Sequence, residues 1–254
     1  MSPPRILVTN DDGIRSPGIR RLAARLVADH DVVVAAPAED VSGAGTGIGR
    51  YDATAPTNLV PTDLDGIEAY AVDGPPGLAV MAAALGAFGP RPDLVVSGIN
   101  AGLNTGTSII HSGTVGAALT ARTFGIPGVA VSLAPGDTWH WDTAVEVAAG
   151  AVTWMLGHEE VATLNVNVPG RTSDAVRGTR WAEIDAFGHF SVASADRDGE
   201  VLELQVHDRR SGSDPGTDTA LCLDGYVTLT LLTPLAHAAA PERDPSIVIS
   251  PARR

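Results

Sequence analysis

Over roughly the first 170 residues, short apolar runs alternate with stretches whose apolar positions recur every three or four residues. The runs at Arg5–Thr9, Asp31–Pro37, 93–97, Gly128–Leu133 and Thr163–Val168 predict buried strands. Between the first two, Ser16-Pro17 has the form of an N-cap followed by proline in the first turn, and Ile19, Leu22, Ala23 and Leu26 then follow at helical spacing. Further helices are predicted over 77–88, from about Thr114 through Phe124, and over 143–156. Strand and helix in alternation imply an α/β fold: a three-layer, doubly wound, mainly parallel sheet. After about Gly170 the pattern changes. Residues 201–206 and 226–231 alternate apolar and polar, which predicts antiparallel strands or an extended hairpin arm, and 236–251 reads as a loosely held tail. The expected organisation is a single domain over 1–254, with a core over 1–170 and a β-rich extension over 171–254.

Composition narrows the chemistry. The 254 residues are 44% hydrophobic and carry a formal net charge of -13, enough for one large α/β domain. No lysine occurs, and arginine forms no cluster, so a phosphate-tracking nucleic-acid surface is not expected, and a Schiff-base or Walker lysine is excluded. The single cysteine, Cys222, reads as a buried thiol. No apolar stretch reaches the roughly 18 to 20 residues of a membrane span, and the first residues lack a signal-peptide pattern, so a cytoplasmic location is expected.

Candidate chemistry gathers in loops that parallel topology brings to one sheet edge. Asp11 and Asp12, framed by Asn10 and Gly13, follow the first strand, and two like charges side by side invite a divalent cation. A solvated Asp-Asp-Gly turn is the other reading of that string alone. The Gly-rich stretch opening at Ser42 and Gly43 follows the second strand, and Asn100 and Asn104 follow the third. Together these residues make an all-oxygen site of the kind Mg²⁺, Mn²⁺ or Ca²⁺ prefer. Ser112, Gly113 and Thr114 precede a helix whose free N–H groups would suit phosphate, or simply need an N-cap. Neither Gly-x-x-x-x-Gly-Lys-Ser/Thr nor Gly-x-Gly-x-x-Gly after a strand is present. Trp139 and Trp141 offer either a stacking platform for a base or packing surface.

The string Ile6-Leu7-Val8-Thr9-Asn10-Asp11-Asp12-Gly13-Ile14, with Ser16-Pro17-Gly18-Ile19 behind it, resembles the N-terminal signature of the SurE family of metal-dependent nucleoside monophosphate phosphatases. Ser42-Gly43, Ser97-Gly98-Ile99-Asn100 with Gly102 and Asn104, Ser112-Gly113-Thr114-Val115, Ile126-Pro127, Asn165-Val166-Asn167-Val168-Pro169, Gly225-Tyr226 and Thr233-Pro234-Leu235 are similar to its later blocks, in order. The resemblance implies a Rossmann-like core with an exchanged C-terminal β-rich extension, and homodimers or homotetramers. It implies one divalent cation per subunit, Mg²⁺ or Mn²⁺, on Asp11, Asp12, Ser42 and Asn100. A phosphomonoester's phosphate would sit among Asn10, Ser42, Gly43, Asn104, Ser112, Gly113 and Thr114, with Asp11, Asp12, Asn104 and Ser112 carrying the chemistry. The attack by a metal-bound water, or an Asp acting as base or nucleophile, are alternatives that sequence leaves open. His111, beside the phosphate loop, is a possible acid for the leaving group or a surface residue.

Departures from the family pattern fall elsewhere. Gly74-Pro75-Pro76-Gly77-Leu78-Ala79 stands where Gly-Thr-Pro-Ala-Asp-Cys is usual, His111 where Tyr is common, and Leu119-Thr120-Ala121 where Met-Glu-Gly is frequent. They leave open a phosphorylated intermediate of a specialised pathway as substrate, or a noncatalytic metal- or nucleotide-binding role.

Overall fold

The strands over Arg5–Thr9, Asp31–Pro37 and Leu94–Ala101 carry apolar side chains on both faces because helices cover both sides of the sheet. The computed structural model describes residues 2–49, 56–158, 160–188, 190–198, 201–208 and 214–233. In chain order the elements are β1 (Arg5–Thr9), α1 (Pro17–Leu26), β2 (Asp31–Pro37), β3 (Leu59–Leu64), β4 (Ile67–Val72), α2 (Pro76–Ala84), β5 (Leu94–Ala101), α3 (Gly113–Thr123), β6 (Gly128–Leu133) and α4 (Trp141–Leu156). They continue as β7 (Thr163–Val168), β8 (Thr179–Trp181), β9 (Phe190–Asp198), β10 (Val201–Asp208), α5 (Asp218–Leu223) and β11 (Val227–Leu232).

A nine-stranded sheet runs in the order β3-β4-β2-β1-β5-β6-β7-β11-β8, parallel from β4 through β7. Within β1, Ile6 and Val8 join the core beneath α1 and α4, while Leu7 points to the opposite core under α2 and α3. The same split recurs in β2, with Val32 and Val34 on one side and Val33 and Ala35 on the other. Ile19, Leu22, Ala23 and Leu26 of α1 are fully covered, as their spacing predicts. Burying each such leucine or isoleucine contributes about 1.5–3 kcal/mol.

Several elements differ from the sequence expectation. Residues 59–72 form a hairpin at the sheet edge, closed by Asp65 and Gly66, both at positive φ, with Pro61 on the outer strand. The helix expected over 77–88 ends at Ala84, because the chain turns at Gly86 (φ 89°), and Phe88 drops back into the core against Tyr70. The strand expected over 93–97 runs on to Ala101 across a register shift between Ser97 and Asn100. Of the two readings of 226–231, the antiparallel strand holds and the separate arm does not: β11 re-enters the main sheet, antiparallel to β7 and parallel to β8. A line drawn at residue 170 therefore cuts through that sheet. Residues 201–206 do lie in a hairpin, β9–β10, which makes its own two-stranded sheet. The tail at 236–251 lies outside the described residues. Cys222 is buried, and among the described residues no helix is long and apolar enough to cross a membrane.

Candidate metal and phosphate site

Thr9, the last residue of β1, pairs with Ser97 in the middle of β5, and the acidic turn begins one residue after Thr9. Asn10 is completely buried and closes that turn: its Nδ2 donates to the Gly13 carbonyl at 3.0 Å and to Ser16 Oγ at 2.7 Å. Gly13 supplies the left-handed residue (φ 94°) the turn needs. The Asn10 side chain thus ties the acidic turn to the start of α1 and does not reach outward with its amide, while its Oδ1 is buried without a hydrogen-bond partner.

Asp11 is nearly inaccessible and points at the first turn of α3. The Thr114 hydroxyl donates to its Oδ1, and the Gly113 and Thr114 amides are directed at the same carboxylate. Burial pushes its pKa above the ordinary value, with these bonds opposing the rise. The expected anion cradle at this helix start is therefore facing a carboxylate of the protein itself. Ser112 caps α3, its Oγ accepting from the Val115 amide at 3.1 Å.

Asp12 is half-buried, and burial, followed by the charges of Asp11 and Asp40, pushes its pKa up to about 6. The Ala101 amide opposes that rise from the end of β5. On the next loop, the Val41 amide donates to the Asp11 carbonyl at 2.9 Å, which draws Ser42 alongside the turn. Ser42 donates from both its hydroxyl (2.7 Å) and its amide (2.8 Å) to Asp40, holding that carboxyl below its usual range. Its oxygen lone pairs stay available. Gly43 follows at φ 88° with open space around it.

Asn100 directs Nδ2 to the Gly102 carbonyl (2.8 Å) and leaves Oδ1 at 3.3 Å from Thr114 Oγ1. A hydroxyl has one proton, and the shorter contact to Asp11 takes it, so Asn100 Oδ1 keeps acceptor capacity beside a raised carboxylate. Asn104 is held from beneath by β6 and β7: its Nδ2 donates to Ser132 Oγ at 2.8 Å, and its main chain is bonded to Asn165 and Asn167. His111 is exposed, and its carbonyl accepts from the Gly45 amide at 3.1 Å. Trp139 and Trp141 stack on each other with centroids 5.3 Å apart at the start of α4, away from the acidic turn in the chain.

Among the described residues there is no cluster of three or more His, Cys, Asp or Glu side chains suited to a metal. The oxygen set consists of two carboxylates, a hydroxyl and an amide carbonyl. It fits a hard divalent cation, because two acids held side by side above their ordinary pKa are relieved by positive charge. The sequence reading assigned no role to Asp40, whose charge bears on Asp12, nor to Ser132, Asn165 and Asn167, which hold Asn104 and entered it only as parts of family blocks. It also passed over Asp218, a buried carboxylate accepting from the amides of Gly106, Asp185 and Thr219 at 2.8–3.2 Å. Amides at alternate positions of an otherwise apolar strand, as in Asn165-Val166-Asn167, were the available signal.

Comparison with known proteins bears on the family and the fold. Residues 6–187 match the family described as Survival protein SurE. A protein of Aeromonas hydrophila named 5'-nucleotidase SurE is 38% identical over 234 residues, covering 90% of this chain and 92% of that one. A Shigella dysenteriae protein named 5'/3'-nucleotidase SurE is 36% identical over 234 residues, covering 90% and 89%. The crystal structure of the SurE protein from Aquifex aeolicus superimposes with a TM-score of 0.78 at 29% identity, covering 92% of this chain and 95% of the other. A match across more than half of the chain, with relatives above 30% identity over nine tenths of it, means that the chain belongs to the SurE family.

Proposed function

We propose that this protein is a divalent-metal-dependent phosphomonoesterase that hydrolyses nucleoside 5'- or 3'-monophosphates to nucleoside and phosphate. The observation that carries the reading is the meeting of Asp11 Oδ1 and Asn100 Oδ1 at the Thr114 hydroxyl, beside Asp12 and at the positive end of α3. The names of the relatives from Aeromonas hydrophila and Shigella dysenteriae support the substrate class. The residues suited to hold one cation, Mg²⁺ or Mn²⁺, are Asp11, Asp12, Ser42 and Asn100. Such an ion supplies positive charge against the phosphate oxygens and lowers the pKa of a water.

The remaining work falls to this chain's own donors. Asn104 Nδ2 has one N–H engaged by Ser132 and a second free for a phosphoryl oxygen. Ser112 Oγ accepts from Val115 and keeps its own proton to donate to a phosphoryl oxygen. Gly43, at a backbone conformation with no side chain near it, lets the second loop approach a phosphate closely. Exposed Trp181, Ile184 and Phe187 support association into a homodimer or homotetramer. The partner chemistry otherwise is a small phosphomonoester, with no nucleic acid and no membrane surface, in the cytoplasm.

The test is hydrolysis of p-nitrophenyl phosphate and a panel of nucleoside 5'- and 3'-monophosphates with Mg²⁺ or Mn²⁺, with and without chelator. Turnover lost on chelation and restored by metal supports the reading. Turnover only on other phosphomonoesters would move the substrate to a specialised pathway, and none with any metal would leave a binding protein. A stoichiometric acid-labile phosphoenzyme would replace water attack with an aspartyl nucleophile.

A further inference from the structure

β7 alternates Thr163, Leu164, Asn165, Val166, Asn167 and Val168, and all six residues are buried. Leu164, Val166 and Val168 enter the core under α4. The opposite face, where apolar side chains would serve packing equally well, carries two amides that are 1% and 0% exposed. Buried amides are costly unless their hydrogen bonds are made, and the bonds these two make converge on one loop residue, although Asn165 Oδ1 is buried without a partner. Asn167 makes a two-point contact with the main chain of Asn104, its Oδ1 accepting from the Asn104 N–H and its Nδ2 donating to the Asn104 carbonyl, both at 2.9 Å. Asn165 Nδ2 donates to the same carbonyl at 2.9 Å. From the neighbouring strand, Ser132 Oγ, fully buried and directly opposite Asn167, accepts from Asn104 Nδ2 at 2.8 Å.

Main chain and side chain of Asn104 are thus fixed by different strands. Asn167 substitutes for a β-ladder partner that a loop residue lacks, and Ser132 sets the rotation of the carboxamide. We infer that Asn165, Asn167 and Ser132 are positioning residues for Asn104, holding its carboxamide so that the N–H not taken by Ser132 faces the transferring phosphoryl group. The inference rests on the phosphatase reading above, because only that reading places a phosphoryl group beside Asn104. A donor aimed in advance at developing charge contributes through its fixed direction, and misplacing it by about 1 Å costs on the order of 100-fold.

The test compares Asn167→Leu, Asn165→Leu and Ser132→Ala with wild type and with Asn104→Ala, using p-nitrophenyl phosphate and Mn²⁺ below the melting temperature of every variant. Hydrogen exchange of the Asn104 amide is the second readout. The expected result is faster exchange in Asn167→Leu, and in each variant a kcat lowered about 10- to 100-fold with KM and Mn²⁺ affinity nearly unchanged. Combining Asn167→Leu with Asn104→Ala should lower kcat no further than Asn104→Ala alone. Losses that multiply in the double variant, or variants that exchange faster yet turn over like wild type, overturn the positioning role. Unchanged exchange in Asn167→Leu overturns the clamp itself. A wild-type protein that hydrolyses no phosphomonoester is a failure of the functional reading and is distinguished by that control.

Discussion

The α-carbon of Gly113 rests against the Asp11 side chain: a Cβ at Gly113 would stand 2.7 Å from both Cβ and Oδ2 of Asp11. No rotamer of an added methyl avoids that overlap, because the position is set by backbone, so either α3 or the acidic turn has to shift. Gly113→Ala is expected to lower kcat/KM by about 100-fold, the order expected of a displacement near 1 Å. Circular dichroism should remain that of a folded α/β protein, and titration with Mn²⁺ should show weakened binding. A variant with wild-type kinetics would place Asp11 outside the chemistry.

The acidic pair also destabilises the metal-free chain at neutral pH. Asp12 ionises in the folded protein at about 6, above its ordinary 3.8. Between those values the unfolded state binds fewer protons than the folded state, so this group's contribution favours folding below pH 4 and is lost as pH rises through about 6. Asp12→Asn removes the loss. With solvent screening at a half-buried position allowed for, the metal-free variant should be about 1–2 kcal/mol more stable than wild type at pH 7, a rise of a few degrees in melting temperature. The difference should shrink toward pH 4. Adding Mn²⁺ should raise the melting temperature of wild type and have little effect on the variant, which is also expected to be inactive.

The parallel centre of the sheet was legible because β1, β2, β5 and β6 are buried and read as continuous apolar runs between helices. The acidic turn of Asp11 and Asp12 follows β1 as its sequence position predicts, whereas Asn100, expected in the loop after the third strand, lies within β5. Strand β11 was visible as an antiparallel strand, but not its partner: alternation in 226–231 reports one covered face, and only the tertiary fold sets it against β7. The Asp65-Gly66 hairpin was written in the sequence, and the overlooked signal was a two-residue turn between alternating segments. Asn165 and Asn167 were seen as a family block without a role, since their role depends on a loop some sixty residues earlier. The direction of the Gly113 and Thr114 amides toward Asp11 could not be read either, because it depends on how α3 docks against β1.

Asp218 shows how a residue far from the acidic turn in sequence supports the loop that carries Asn104. Its carboxylate is wholly buried and accepts from the amides of Gly106, Asp185 and Thr219. Asp218→Ala leaves these backbone donors without their acceptor, a loss of about 3 kcal/mol that thermal or urea unfolding would measure. Asp218→Asn should recover a good part of that loss, because one oxygen, Oδ1, accepts from all three amides and an NH₂ in place of Oδ2 would face the Gly106 amide alone. A variant as stable as wild type would mean that water satisfies those amides.

Gly45 and Gly116 bring the second loop and α3 together backbone to backbone. A Cβ on Gly116 would overlap the Gly45 carbonyl oxygen, and the Gly45 amide is itself tied to the His111 carbonyl at 3.1 Å. The loop carrying Ser42 therefore lies on α3 only because residue 116 has no side chain. Gly116→Ala favours the isolated helix by about 1 kcal/mol in intrinsic propensity, yet it must lift the loop. The two effects separate in different measurements. Unfolding should show a modest stability change, whereas Mn²⁺ affinity should fall about 10-fold or more as Ser42 moves off the Asp11–Asp12 turn. Asp11, Asp12 and Asn100 are untouched by the substitution, so residual metal binding is expected. If Mn²⁺ affinity stays at the wild-type value while the loop is shown to have moved, Ser42 is not a ligand, and the cation is held by the other oxygens alone.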